Sequence, residues 1–146
     1  MKVKKTMGFL KISLVMSKEY AYKLAQKARK RAYAPYSDYK VGACIETNAG
    51  LATGANIEIS GRSTSVHAEM LALFNAVMDG ATDFYRIAVC HDGDSGPCML
   101  CLHTLSEFTE DIDIIIEVDG ELEKFSLEQE YNRAYRPNEA EHHEHH

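Results

Sequence analysis

The chain has 146 residues, of which 45% are hydrophobic and 26% charged, with a formal net charge of −6. This length accommodates one domain with a single buried core, and the balance of residue types argues against disorder or a membrane-embedded chain, as does the lack of any apolar run near the ~20 residues a bilayer span needs. Residues 110–146 carry twelve acids against three Lys or Arg, an acidic third that does not suit a protein that wraps nucleic acid.

The N-terminal residues MKVKKTMGFLKISLVMS place lysines ahead of an apolar stretch, as a signal peptide does. Lys11 interrupts that stretch and no small-residue cleavage site follows, so a cytoplasmic location is expected, with residues 1–16 a peripheral extension. From Ser17, a plausible N-cap, Tyr20, Ala21, Leu24, Ala25, Ala28 and Ala32 recur at helical spacing, and Pro35 ends the helix. The cluster KARKR (27–31) reads as the solvated face of this helix. A turn-rich loop, APYSDYK, leads to two strands, VGACIET (41–47) and LATGANI (51–57), joined through Asn48-Ala49-Gly50. After the loop ISGRSTS, a helix is expected from Ser65, its apparent cap, to about Asp79-Gly80, with Leu71, Leu73, Phe74 and Val77 as its apolar positions.

RIAVCH (86–91) is a continuous apolar strand, followed by the loop DGDSG and by Pro97 at the entry to a helix over CMLCLHTLSEF. IDIIIEV (112–118) is the most strongly β-forming run. Asp119-Gly120 turns it into ELEKFSL, and a final helix covers about Glu128 to Tyr135. The order α-β-β-α-β-α-β-β-α predicts one mixed sheet covered by helices, an α/β sandwich. The acidic, His-rich tail, residues 137–146, holds four of the seven histidines and is assigned no part in the chemistry.

Four cysteines occur, at 44, 90, 98 and 101. Without a secretion signal they point to metal or redox chemistry rather than a disulfide framework. Cys98-Met-Leu-Cys101 opens a predicted helix, where unpaired N–H groups and the helix dipole favour thiolate. A lone C-x-x-C has three readings: a redox pair, half of a zinc site, or coincidence in a core. The element order is not the thioredoxin-like one that a redox pair expects. A zinc site needs a further ligand, three for a catalytic ion and four for a structural one. Cys44 and Cys90 fall on predicted strands and read as small apolar residues. His103 stands two residues after Cys101, ~200° around the helix, and points away. His91 and His67 remain.

His67 alone reads as a capping or core histidine, and Glu69 alone as an acid placed where helices favour one. No capping box explains Glu69, because Val66 stands three residues before it. In combination, His67-Ala-Glu69 and Pro97-Cys98-Met-Leu-Cys101 resemble the H-x-E…P-C-x-x-C signature of zinc-dependent deaminases, in which one imidazole and two thiolates leave a zinc position open for water.

The resemblance extends to the cytidine deaminases. RAYAPYSDYKVGA (31–43) is similar to the segment that enters that family's sheet, and GANIE (54–58) to its ribose-binding strand end, so that the match runs from about Ser17 to Phe125. It implies a three-layer α/β/α sandwich with a mixed five-stranded sheet, and makes residues 17–136 the zinc deaminase domain. It implies that His67, Cys98 and Cys101 hold one Zn2+ per subunit, and that Glu69 shuttles protons. Asn56 and Glu58 would bond the sugar hydroxyls, Tyr39 would line the pocket against the pyrimidine, and Ala68 would contact substrate. Many small members of the family have Cys as first ligand with Arg directly after the Glu. Here two thiolates already balance Zn2+, and Met70 follows the Glu without a charge.

Other positions depart from the family. Leu102-His103 replace the usual Arg-Gln, Arg62 stands where an aromatic is common, and EYNRAYRP replaces the closing Leu-Leu-Pro, with Tyr131 or Tyr135 as substitutes for its aromatic residue. The implied activity is hydrolytic deamination of cytidine or deoxycytidine to the uracil nucleoside and ammonia. The alternative is the same chemistry on a modified or antibiotic-like aminopyrimidine nucleoside, motivated by Arg62 and Leu102-His103. A structural zinc module that binds a partner is the reading from a different class. The resemblance implies a small pyrimidine nucleoside as partner and a homotetramer, with a dimer second.

Overall fold

The computed structural model of the chain describes residues 18–61, 64–91 and 96–134. Residues 18–29 form helix α1. There follow β1 (Gly42–Thr47), β2 (Gly50–Ala55), α2 (Ala68–Met78), β3 (Phe84–Cys90), α3 (Met99–Phe108), β4 (Asp113–Val118), β5 (Glu121–Phe125) and α4 (Leu127–Ala134). The predicted order is reproduced, with strand and later helix boundaries shifted by at most three residues, but α1 ends at residue 29 and not at Pro35 as expected, because the Tyr33 N–H is taken by the Asn56 carbonyl at 2.9 Å. The expected extension 1–16, the tail 137–146, Arg62 and Tyr135 lie outside the described residues.

The strands form one sheet in the order β2-β1-β3-β4-β5. Only β3 and β4 run parallel, joined by the crossover through α3, and the other neighbours are antiparallel. The mixed five-stranded sheet follows from this chain order. The β1–β2 hairpin needs a turn of two residues, Asn48 and Ala49, closed by Gly50 at φ 107°, a conformation glycine adopts without steric cost.

Successive side chains on a strand point to opposite faces, and here both faces are covered. Ala43 and Ile45 of β1, Ile87 and Val89 of β3, and Ile114 and Ile116 of β4 pack with Ala72, Leu73, Leu102, Leu105 and Leu127 of α2, α3 and α4. The intervening Cys44, Ala88, Cys90 and Ile115 pack on the other face with Ala21, Tyr22 and Ala25 of α1. The result is the expected α/β/α sandwich. Its central strands read as continuous apolar runs because neither face meets water.

Two glycines set how closely the helices approach. A Cβ on Gly42 would lie 2.1 Å from the Ala25 carbonyl oxygen of α1, and one on Gly54 would lie 2.5 Å from the Ala72 nitrogen and 2.6 Å from the Ala68 carbonyl oxygen of α2. The backbones of α1 and α2 therefore rest directly on β1 and β2 at these points. Gly54 precedes the last residue of β2, and Ala68 is the first of α2, so the start of α2 is pinned to the carboxyl end of β2.

That end of the sheet gathers the loops that matter. Gly42, which begins β1, pairs with Ala55 on one side and with Cys90 on the other. Residues just before β1, just after β2 and just after β3 thus emerge together, where open α/β sheets place ligand sites.

Candidate active site

After β2 the chain makes a narrow excursion before α2. Ile57 and Val66 exchange both backbone hydrogen bonds at 2.9 Å, and the Ser65 hydroxyl accepts the Ile59 N–H. Ser65 therefore does not cap the helix, contrary to expectation. Its oxygen is committed to the loop. The N-cap is His67, extended at φ −80° and ψ 151° and with no side-chain bond to the helix.

Helix α3 begins in the same way. Its N-cap is Cys98, extended at φ −75° and ψ 168°, again without a side-chain cap bond. At both helix starts, the residue that usually satisfies the first N–H groups instead has its side chain available for the space between the helices. A residue outside the helical conformation is also freed from the angular divergence of i and i+2, and so His67 and Glu69 can face one site.

The His67 Nδ1 atom lies 3.2 Å from the Cys101 Sγ and 3.4 Å from the Cys98 Sγ, and the two sulfurs are 3.6 Å apart. Bonds of ~2.3 Å to sulfur and ~2.0–2.1 Å to nitrogen at tetrahedral angles place donor atoms ~3.6–3.8 Å apart. The triangle matches the face of such a tetrahedron to within a few tenths of an ångström. Among the described residues, these three form the one group of His, Cys, Asp and Glu placed to hold a metal ion. His91 is not part of it. His103 is exposed, consistent with its pointing away. Cys44 and Cys90 are buried in the core, as expected, and burial pushes the Cys44 thiol up to about 12.

The electrostatics of the protein groups suit a cation. A hydrogen bond from the Cys101 thiol, with a further one to His67, lowers Cys98 to about 4. The reciprocal bond to Cys98, together with burial, raises Cys101. The bond to Cys98 also raises His67 against the opposing effect of burial. Without metal the three groups thus share protons, which a divalent ion would displace.

Glu69, in the first turn of α2, is only 6% exposed. Burial raises its carboxyl above the ordinary range, its own backbone N–H opposes that shift, and the negative charge on Cys98 adds to it. The carboxyl also reaches Cys101 by a hydrogen bond. A carboxyl so placed can hold and release a proton at the mouth of the metal triangle. Met70, next in the chain, brings no charge, and the side chain of Ala68 is fully buried in the core.

Tyr39, Asn56 and Glu58 form a second cluster at the same end of the sheet. Asn56 accepts the Val41 N–H through Oδ1 at 2.8 Å and donates from Nδ2 to the Tyr39 carbonyl at 2.8 Å. Glu58 Oε1 accepts the Tyr36 and Ser37 N–H groups at 3.0 and 3.1 Å, and Oε2 accepts the Ser37 hydroxyl. Tyr39 is 42% exposed, and its ring lies 6.1 Å, centroid to centroid, from that of His91. Tyr131, offered as a substitute for the family's C-terminal aromatic, packs against its own chain's core and donates to Ser106.

Sequence reading passed over two residues here. Gly54 was legible in principle, since a glycine inside a strand signals close backbone approach. Ser37 carried no such signal, because its partner lies 21 positions away.

A family model described as the cytidine and deoxycytidylate deaminase zinc-binding region matches residues 16–116. Cytidine deaminase of Sporosarcina psychrophila is 41% identical over 87 residues, 58% of this chain and 64% of that one, so the chain spans just under two thirds of that relative's length. Blasticidin-S deaminase of Bacillus cereus is 33% identical over 107 residues, 64% of this chain and 76% of that one. The crystal structure of cytidine deaminase from Burkholderia pseudomallei superposes with a TM-score of 0.73 at 30% identity, over 82% of this chain and 99% of that one.

Proposed function

The chain belongs to the cytidine and deoxycytidylate deaminase family, and from that premise we propose that it is a zinc-dependent enzyme that hydrolyses the exocyclic amino group of cytidine and deoxycytidine, releasing ammonia. The observation that carries the proposal is the triangle of His67, Cys98 and Cys101 with the buried Glu69 carboxyl beside it. His67 Nδ1 and the two sulfurs would hold zinc. When bound, zinc supplies Lewis acidity that makes a hydroxide-like nucleophile available near neutral pH.

Glu69 does the remaining proton work. Its carboxylate takes a proton from the attacking water and delivers it to N3 of the base, which makes C4 electrophilic. Glu69 then takes the remaining proton from the water-derived hydroxyl on C4 and delivers it to the amine as the C4–N bond breaks, leaving the C4 carbonyl. One water is consumed, one ammonia leaves, and the base becomes uracil. A raised carboxyl pKa suits this alternation, because both protonation states must be reached near neutral pH.

Tyr39, Asn56 and Glu58 hold the nucleoside in this reading. The domain comprises residues 17–136 and assembles as a homotetramer. Support for assembly comes from Phe74 and Met78, one turn apart on α2 and 43% and 85% exposed, and from Leu51 on the edge strand β2, 38% exposed. A cytoplasmic role in pyrimidine salvage agrees with two thiol ligands that must stay reduced. No helix among the described residues is long and apolar enough to cross a membrane.

The similarity to a blasticidin-S deaminase supports a second reading, the same chemistry on an antibiotic-like aminopyrimidine nucleoside. Ammonia release by the zinc-loaded protein over cytidine, deoxycytidine, cytosine and modified aminopyrimidine nucleosides separates the two. Turnover of the plain nucleosides is expected. Their inertness beside a reactive modified one would transfer the assignment to the second reading.

A further inference from the structure

We infer that Ser37 is a positioning residue that locks the nucleoside cluster into a single unit, an inference that rests on the reading of Tyr39, Asn56 and Glu58 given above. Its hydroxyl donates to Glu58 Oε2 and accepts the Tyr39 N–H at 3.0 Å, while its own N–H donates to Glu58 Oε1 at 3.1 Å. One side chain thus ties the carboxylate after β2 to the aromatic before β1. The chain of bonds continues from the Tyr39 carbonyl to Asn56 Nδ2, and from Asn56 Oδ1 to the Val41 N–H. All three nucleoside residues belong to one network, and Ser37 is the member that joins its Glu58 end to its Tyr39 end.

The local backbone is built for this bridge. Asp38 lies between Ser37 and Tyr39 at φ 59°, in the left-handed region that Asp tolerates better than most residues. Its N–H is fixed on the Ala34 carbonyl at 2.9 Å. The reversal at Asp38 brings the Tyr39 N–H back to the hydroxyl two residues earlier, a turn that serine side chains stabilise. A non-glycine residue held at positive φ marks a place where the surrounding structure imposes the conformation.

Without the bridge, Glu58 retains its two N–H partners on Oε1 and Tyr39 its carbonyl bond to Asn56, but the direct side-chain link from Glu58 Oε2 to the Tyr39 N–H is lost. A ligand that needs both must then order them on binding. Loss should therefore fall on nucleoside binding and leave the proton chemistry at Glu69 in place.

The test compares the zinc-loaded wild-type protein with Ser37→Ala and Ser37→Thr by steady-state ammonia release on cytidine and deoxycytidine, with zinc content and Tm measured in parallel. For Ser37→Ala the expected result is a KM raised about tenfold, as for a lost bond to a charged group. Its kcat should stay within about threefold and its zinc content unchanged. Ser37→Thr, which keeps the hydroxyl, should restore KM. If Ser37→Ala fails to fold, Ser37→Cys, similar in size but a weak donor, reads the same shift. An active wild type with unchanged KM in the variant that folds overturns this inference alone, as does a KM rise that Ser37→Thr fails to reverse. A wild type inert on both nucleosides overturns the functional reading and this inference with it.

Discussion

His67 Nδ1 stands 3.2 Å from Cys101 Sγ, although 34 positions separate the two residues. The contact joins the starts of two helices that a strand and a loop hold apart in sequence. Each helix contributes an extended N-cap residue and a residue of its first turn to the same small volume.

The first prediction concerns that volume. Replacing Cys98 or Cys101 with Ser should remove zinc from the purified protein, measured by elemental analysis, because a hydroxyl is not ionised at neutral pH and ligands must be deprotonated. Zinc affinity should also rise with pH. The bond to Cys98 and burial hold the Cys101 proton tightly, and the metal must displace it. Proton release on zinc binding, read by calorimetry in buffers of different ionisation enthalpy, checks this. Binding without proton release would contradict it.

Much of this site was legible in the sequence as a combination and little of it residue by residue. His67 and Glu69 by themselves suit a helix start. Only Pro97, Cys98 and Cys101 thirty residues on change that reading. The strands were legible because Ile87, Val89, Ile114 and Ile116 alternate with Ala88, Cys90 and Ile115 between two apolar layers. The start of α2 was misread because a serine ahead of an apolar run is the ordinary capping signal. The Ser65 hydroxyl is instead taken by Ile59, a contact set by the Ile57–Val66 bridge that no local pattern announces. The bonds of Asn56 and Glu58 to residues 36–41 were hidden for the same reason. They depend on β1 and β2 pairing first.

Glu69→Gln separates proton transfer from metal binding. It should retain zinc, with kcat lower by ~10²–10⁴, the usual contribution of a general acid–base group. It should also alter stability. Burial raises the Glu69 pKa in the folded state, so the fold binds that proton more tightly than the unfolded chain does. The charged form is therefore penalised on folding, and stability falls as pH rises from the ordinary Glu value through the raised one. Gln carries no such penalty. Metal-stripped Glu69→Gln should have the higher Tm at neutral pH, and the difference should vanish below about pH 4.3, where Glu is neutral in both states. Equal Tm values at pH 7 would contradict the burial argument.

Gly54 tests how the site is placed. A methyl group there meets the Ala72 nitrogen and the Ala68 carbonyl oxygen, backbone atoms that cannot rotate away. Gly54→Ala should cost ~1–3 kcal/mol or more through overpacking. The shift falls on the first turn of α2, so zinc content should fall as well. Gly61, where an added Cβ meets nothing within 4 Å, is the control, and Gly61→Ala should leave both Tm and zinc nearly unchanged.

The last prediction concerns a pair that the sequence reading passed over. Glu46 on β1 and Arg86 on β3 sit directly opposite each other, with Arg86 Nε 2.6 Å from Glu46 Oε1. They are 2% and 8% exposed. A charge of each sign within otherwise apolar strands was the available signal. Removing one partner leaves a buried charge without its counter-ion, so Arg86→Met should destabilise by ~3–5 kcal/mol. The double variant Glu46→Leu/Arg86→Met should recover most of that loss, since a matched apolar pair avoids the desolvation of both ions. The pair lies at the opposite end of β1 from Gly42 and the cluster of Tyr39, Asn56 and Glu58 proposed to hold the nucleoside. At a temperature where both variants are folded, kcat and KM should stay at wild-type values. Denaturant unfolding of the two variants in parallel decides the matter. If the double variant is no more stable than Arg86→Met, the pair is doing more than neutralising itself.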